Sequence, residues 1–210
     1  MKKFLSIIFS LSLLLTSEFS TGAKVLDVVK SDDPILKECC LEVTGFNEDL
    51  RKLIANMCDT MNKYDGVGLA APQVGERKCV FVVKYGKKVT EYVNAKILSE
   101  EGEQISTEGC ISLPGLWGEV KRPTCISGTA FDKNGEKFDF EAEGEEARII
   151  CHEFDHTRGV LFTKIAKRTY TTTQIIVKNV AWAVAVAGVL AILGGLARHF
   201  AFSKPSPNHA

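Results

Sequence analysis

The chain has 210 residues, a length that predicts one domain, or one domain with appendages. Its 26 basic residues balance 26 acidic residues and are not gathered into a stripe, so the sequence indicates no direct nucleic-acid binding. Seven cysteines form no regular disulfide framework and include no Cys-x-x-Cys pair, which leaves one free for chemistry or metal binding.

Residues 1–23 have the pattern of a targeting segment. Lys2 and Lys3 precede the apolar stretch 4–15, and small residues such as Ala23 offer a cleavage site. The alternative is an N-terminal amphipathic or signal-anchor helix that is retained. The sequence favours a signal-like segment without deciding whether it is cleaved.

The first globular segment combines a helix with a loop of small residues. Apolar residues recur at helical spacing from Asn47 to Tyr64, and the helix is expected to end near Asp65. The segment 66–73 follows, with two glycines and two alanines that let the backbone approach another group closely. No Gly-Lys-Ser/Thr follows it, so a phosphate-binding loop is disfavoured.

Two pairs of strands are predicted, 79–84 with 89–93 and 124–131 with 137–141, each joined by a turn. Between the pairs, Cys110 stands beside a glycine and just before a Ser-Leu-Pro-Gly turn. This position favours a cysteine that faces a site. The alternative is a small buried hydrophobic residue.

The stretch Cys151-His152-Glu153-Phe154-Asp155-His156 lies in a predicted helix, 145–158. Residues four apart share a helix face, so two imidazoles can meet one metal ion, with the carboxylate beside it to take a proton from water. The alternative is a solvated face that carries two histidines by chance. Phe162 replaces the third histidine of the extended motif and no glutamate follows Glu153, so a third ligand must come from upstream.

An uncharged, mostly apolar run covers residues 180–197, between Lys178 and Arg198. It is just long enough for a transmembrane helix, and no polar face marks it as a buried core helix, so we expect a span over 175–198. More basic residues precede the run than follow it, which places the preceding domain in the cytoplasm by the positive-inside rule. Export or an organellar location is the alternative, because the N-terminal segment argues for translocation.

Three segments, 66–73, 108–112 and 152–156, together resemble the three signature motifs of the peptide deformylase family. The resemblance runs from about Asp33 to Lys164 and excludes both apolar ends. It implies an α+β fold in which a mainly antiparallel sheet surrounds a central helix carrying His-Glu-x-x-His. Here that fold would carry apolar helical appendages at both termini. The implied domains are a signal-like or anchor segment 1–23, a catalytic domain 24–170, a transmembrane helix 175–198 and a short polar tail 199–210.

The resemblance also implies the site. Its metal would be Fe²⁺, with Zn²⁺ or another divalent ion as the alternative. The implied roles are metal ligation by Cys110, His152 and His156, catalysis by Glu153, Gln73 and the backbone N–H of Ile111, and substrate binding by Val67, Gly68 and Ile149.

The implied reaction is removal of the N-formyl group from formyl-methionyl peptides of newly made proteins, with release of formate. Its partners would be nascent chains, the membrane through the C-terminal helix, and the ribosome that presents those chains. Two alternatives remain open. One is a membrane-tethered protein that binds peptides without turnover, and the other makes Cys110 a nucleophile served by His152, which leaves Glu153 and His156 without a role.

Overall fold

The computed structural model describes residues 24–202. The predicted targeting segment 1–23 and most of the predicted polar tail lie outside these residues. Within them the predicted α+β class is confirmed, and the paired strands are antiparallel.

The strands form two sheets where one was predicted. The first sheet has the order β1-β2-β3-β6-β7, and the second has the order β4-β5-β8. The strands of the first are β1 Gly68–Ala70, β2 Val80–Tyr85, β3 Lys88–Glu101, β6 Cys125–Phe131 and β7 Lys137–Glu143; those of the second are β4 Gln104–Cys110, β5 Leu113–Arg122 and β8 Arg168–Thr171.

Between residues 24 and 202, four helices accompany the sheets: α1 Glu48–Lys63, α2 Gly144–Thr157, the single turn α3 Phe162–Ile165, and α4 Thr172–Phe202. The first begins where predicted, because the side chain of Asn47 accepts a hydrogen bond from the backbone N–H of Leu50 at 3.1 Å. Short 3₁₀ turns cover Pro34–Lys37 and Ala71–Val74.

Strand β2 is buried on both faces and joins the two main helices into one core. Phe81 and Val83 pack in a cluster with Ile150 of α2, while Val80 and Val82 pack in a second cluster with Met57 of α1. Successive side chains of a strand point to opposite faces, so a run of four apolar residues fits a sheet covered on both sides. Helix α2 is thereby fixed against the first sheet, with its histidines turned towards the second.

The second sheet was missed because its strands lack the alternation that identifies a strand. Glycines interrupt the apolar pattern of both strands, Gly109 in β4 and Gly118 in β5. Neither position has room for a side chain, because a Cβ on Gly109 would lie 2.8 Å from the Trp117 ring and a Cβ on Gly118 would lie 2.7 Å from the Phe162 ring. Close approach of a neighbouring group is a common reason for glycine inside a strand. The aromatic packing that holds the sheet therefore hides it from the hydrophobic pattern.

Helix α4 extends over the predicted span and contains one stretch, Thr172–Leu193, that is long and apolar enough to cross a membrane. None of the most apolar part of this stretch is buried against the rest of the structure. Large apolar side chains such as Trp182 and Leu190 are 71% and 62% exposed. The same length and composition occur in signal sequences and in buried core helices, but this helix is not a core helix.

Replacing Gly159 with Ala is expected to destabilise the fold strongly. Gly159 follows α2 with a φ of +70°, and a Cβ there would lie 2.6 Å from the backbone of Lys37. Left-handed strain costs about 1–2 kcal/mol and the steric overlap roughly 1–3 kcal/mol more. Gly75→Ala is the matched control, because its φ is +81° but nothing lies within 4 Å of the added Cβ. Urea unfolding should show the larger loss for Gly159→Ala; equal losses would contradict the contact.

Candidate active site

The three motif segments meet at one cavity of about 380 Å³. The loop before β1 and β1 itself form one wall, the end of β4 and the start of β5 form another, and α2 forms the third. Eight of the nine residues that the sequence nominates line it: Val67, Gly68, Gln73, Cys110, Ile111, Ile149, His152 and Glu153. The ninth, His156, is 1% exposed and lies one helical turn beyond His152.

Cys110, His152 and His156 form a cluster suited to a metal ion. Their ligand atoms all lie within 4.8 Å of one another, and Cys110 Sγ is 3.3 Å from His156 Nε2. One thiol and two imidazoles leave a fourth position of a tetrahedral site free for water or substrate. The cluster forms because the end of β4 lies opposite the face of α2 that carries both histidines.

A buried carboxylate orients the first histidine. Glu108 is fully buried, and its Oε2 lies 2.8 Å from Nδ1 of His152. With Nδ1 protonated and donating to this carboxylate, Nε2 is left as the atom available to a metal, which is the usual arrangement around ligating histidines. Glu108 was part of a recognised motif, but the sequence analysis gave it no role.

Arg122 holds Glu108 in place. Its guanidinium donates two hydrogen bonds to the Glu108 carboxylate, at 2.8 and 3.0 Å, and a third at 2.5 Å to Asp155 of α2. Neither Arg122 nor Asp155 was nominated from the sequence. The signal available was weak: an arginine before a proline in β5 and an aspartate inside the histidine motif.

This network sets the charges below the site. Burial acts to raise the pKa of Glu108, but the hydrogen bonds from His152 and Arg122 lower it to about 2. Burial also acts to lower the pKa of His152, but its hydrogen bonds with Cys110 and Glu108 raise it to about 10. His156 differs, because burial and the nearby charge of His152 lower its pKa well below the usual value and favour the neutral imidazole. A neutral imidazole is the form that ligates a metal, so metal binding at His152 would release the proton on its Nε2.

Glu153 is the second buried carboxylate of the site and is 4% exposed. Among the described residues its Oε2 has no hydrogen-bond partner, and burial raises its pKa to about 7. A Cβ on Gly68 would lie 2.7 Å from Cγ and Cδ of this side chain. The glycine of β1 is therefore the residue that lets the Glu153 carboxylate enter the site.

Gln73 presents its amide NH₂ to the cluster. Its Oε1 accepts a hydrogen bond from the backbone N–H of Ala70 at 2.8 Å, which leaves Nε2 pointing at Cys110 Sγ, 3.4 Å away, and Ser112 Oγ, also 3.4 Å away. The side chain is 1% exposed and cannot rotate freely. Ile111 occupies the turn between β4 and β5, next to Cys110.

All seven cysteines are free, in keeping with the absence of a disulfide framework in the sequence. Cys110 is half-buried at the cavity, as expected for a cysteine facing a site.

The chain is similar to known proteins in both sequence and fold. The family model for polypeptide deformylase matches residues 25–171. A peptide deformylase 1 of Bacillus anthracis is 45% identical over 153 residues, which cover 72% of this chain and 98% of the relative. The crystal structure of peptide deformylase from Thermotoga maritima has a TM-score of 0.68 and 37% identity, covering 69% of this chain and 99% of that one. A peptide deformylase from Synechococcus elongatus in complex with actinonin has a TM-score of 0.66 at 35% identity, covering 68% of this chain and 79% of that one. This chain belongs to the polypeptide deformylase family.

Proposed function

We propose that this deformylase acts through a divalent metal held by Cys110, His152 and His156, with Glu153 as general base. The reaction is hydrolysis of the formamide of an N-formyl-methionyl peptide: the C–N bond breaks, and water supplies the atoms for formate and a free amino terminus. The observation that carries the proposal is the meeting of three ligand atoms within 4.8 Å beside a buried, unpartnered carboxylate.

The donor set fits such a metal. Thiolate and imidazole ligands suit Fe²⁺ and Zn²⁺, and Fe²⁺ is the ion that the family resemblance favours. When bound, the metal would act as a Lewis acid that polarises the formyl oxygen and lowers the pKa of a water bound to it. Glu108 supports the centre by holding the His152 ring in position at 2.8 Å.

Glu153 moves the proton. Its carboxylate accepts a proton from the attacking water and returns it to the departing amine nitrogen. A pKa of about 7, raised by burial, suits a group that must both accept and donate a proton near neutrality. Gly68 keeps space open for this side chain, because any larger residue would displace it.

Gln73 and Ile111 stabilise the developing negative charge on the formyl oxygen. The Gln73 amide is held with its N–H groups facing Cys110, and the Ile111 backbone N–H is in the adjoining turn. A donor aimed at such an oxyanion is typically worth about 3–4 kcal/mol. Val67, Gly68 and Ile149 line the same cavity and bind the substrate, with Val67 and Ile149 against the methionine side chain.

The two alternatives account for less of the site. Cys110 lies 3.3 Å from His156, but a cysteine nucleophile would leave Glu153 and the hydrogen bond between Glu108 and His152 without a purpose. Peptide binding without turnover would need none of the buried carboxylate, amide donor and ligand cluster.

The direct test is to measure the release of formate from formyl-Met-Ala and the metal content of the same protein preparation. Bound metal without formate release would refute the hydrolase.

Glu153→Ala is expected to keep its metal and lose activity, because Glu153 is a proton carrier and not a ligand. Loss of general acid–base action lowers the rate by about 10²–10⁴-fold. Glu146→Ala, on the same helix but away from the cavity lining, is the matched control and should hydrolyse formyl-Met-Ala normally. Hydrolysis of formyl-Met-Ala by Glu153→Ala at the wild-type rate would refute this mechanism.

Metal affinity should fall in two graded steps. Cys110→Ser exchanges a thiolate for a poor ligand and should lose most of the metal. Glu108→Gln removes the charge that orients His152 and also pairs with Arg122, and the folded fraction of this variant should bind metal about 10–100-fold more weakly. Titration with a chelating competitor measures both. Full occupancy in Cys110→Ser would refute the ligand set, and unchanged affinity in Glu108→Gln would refute the orienting role.

We propose that the catalytic domain covers residues 24–170 and that α4 anchors it to a membrane, with the domain on the cytoplasmic side or its organellar equivalent. The support is an apolar stretch of sufficient length in α4, none of which is buried against the rest of the structure, and the excess of basic residues before it. Formyl-bearing nascent chains occur where ribosomes work, and an iron–thiolate centre is sensitive to oxidation. Residues 1–23 then act as a signal-like or anchor segment, and 199–210 form a tail across the membrane.

Reporter fusions at Ala210 test this topology. A cytoplasmic catalytic domain and one span through α4 place the C-terminus on the opposite side, so alkaline phosphatase should be active there and green fluorescent protein dark. The reverse pattern would refute this topology, because it would mean either that the domain is exported or that α4 does not cross the membrane. The control is a chain that ends at Thr171, which should leave the carbonate-washed membrane fraction if α4 is the anchor; its full retention would assign anchoring to the N-terminal segment.

A further inference from the structure

A second cavity, of about 260 Å³, lies at the carboxyl end of α2. Its walls come from the last turn of α2, from β3 and from the two chain segments that precede α1 and β2. Among the described residues, none lines both this cavity and the candidate active site. Three cysteines, Cys39, Cys40 and Cys79, line it, and the mechanism proposed above uses none of them.

Backbone pairing brings Cys40 and Cys79 to the same face of these two segments. Leu41 pairs with Lys78 in a parallel bridge: the Leu41 N–H donates to the carbonyl oxygen of Arg77 at 3.0 Å, and the Cys79 N–H donates to that of Leu41 at 2.9 Å. Side chains of extended chain alternate between faces, so the residue before Leu41 and the residue after Lys78 point the same way. Their thiols meet there, and Cys40 donates a hydrogen bond to Cys79 Sγ.

The chemistry of this pair is that of a thiol beside a thiolate. The hydrogen bond from Cys40 lowers the pKa of the Cys79 thiol, and the same bond, together with burial, raises the pKa of Cys40. The thiolate is the form that reacts with oxidants, and a neighbouring thiol can resolve the first product. Lys96 and Arg158 line the cavity against one carboxylate, Glu42, and both cysteines of the pair are half-buried, so a small oxidant can reach them.

A bond between the two sulfurs would fasten three parts of the fold together. The backbone N–H of Cys40 donates to the carbonyl oxygen of Thr157, the last residue of α2, at 2.8 Å. Cys79 immediately precedes β2, the strand that joins both main helices. The bridge between Leu41 and Lys78 is isolated and lies outside the strands, so the backbone can adjust to the geometry that a disulfide requires.

We propose that Cys40 and Cys79 form a dithiol site that a hydroperoxide oxidises to a reversible disulfide. The Cys79 thiolate attacks one oxygen of hydrogen peroxide and becomes a sulfenic acid; the O–O bond breaks, and the hydroxide that leaves takes up the proton that Cys79 had released. The Cys40 sulfur then attacks the Cys79 sulfur. The S–S bond forms, the S–O bond breaks, and the hydroxyl leaves as a second water with the Cys40 proton. Two thiols lose two electrons, and one peroxide gains them.

The test treats the full-length, zinc-loaded protein with a slight excess of hydrogen peroxide, alkylates the remaining thiols and maps the cysteines by mass spectrometry. Zinc is chosen because it has no redox chemistry. The expected product is a peptide pair linked through Cys40 and Cys79 that dithiothreitol separates. It should form before Cys58 is oxidised, because burial raises the pKa of that half-buried thiol. Cys40→Ser should lose the link, whereas Cys39→Ser, the matched control one residue away, should keep it.

Oxidation should also raise the unfolding temperature by about 5–10 °C, because the link closes the chain around all of α1 into a loop and so constrains the unfolded state. Cys39→Ser should show the same rise and Cys40→Ser none. The mapping on the wild type stands whether or not either variant folds. The proposal is overturned by a link through Cys39, by a Cys79 that peroxide oxidises without forming a link, by a pair that stays reduced, or by a link that leaves the unfolding temperature unchanged.

Discussion

The site depends on one buried ion network, in which the Glu108 carboxylate joins His152 to Arg122. The Arg122 side chain is 6% exposed and Glu108 fully buried, so each charge is sustained by the other. Removing one partner of a buried pair typically costs about 3–5 kcal/mol, because the remaining charge is left uncompensated. Arg122 also bonds Asp155 of α2, so the same network that orients His152 ties α2 to the second sheet.

The rest of the fold brings this network to the cavity. Alternate residues of β2 pack against α1 and α2, which fixes α2 on the first sheet. Phe162 then packs in the third cluster with Val120 of β5, and its ring stacks on His152 at a centroid distance of 6.1 Å. The histidine is thus held from one side by a carboxylate and from another by an aromatic ring.

Much of this was accessible from the sequence because the nominated residues lie in or beside short contiguous motifs. Helical spacing predicted α1 and α2 to within a residue at each end, and all nine nominated residues come together. The supporting residues were not accessible, since Arg122 meets Glu108 only through the pairing of β4 with β5. The two strands were not predicted, because they lack the alternation of apolar and polar residues that identifies a strand. Glycines stand in both strands, where they make room for Trp117 and Phe162.

The appended helix contacts the rim of the site even though it lies outside the family match, which ends at residue 171. Thr172 bonds both Gly115 and Trp117, so the first turn of α4 forms part of the cavity rim. A membrane-inserted α4 would consequently hold the mouth of the active site near the bilayer surface.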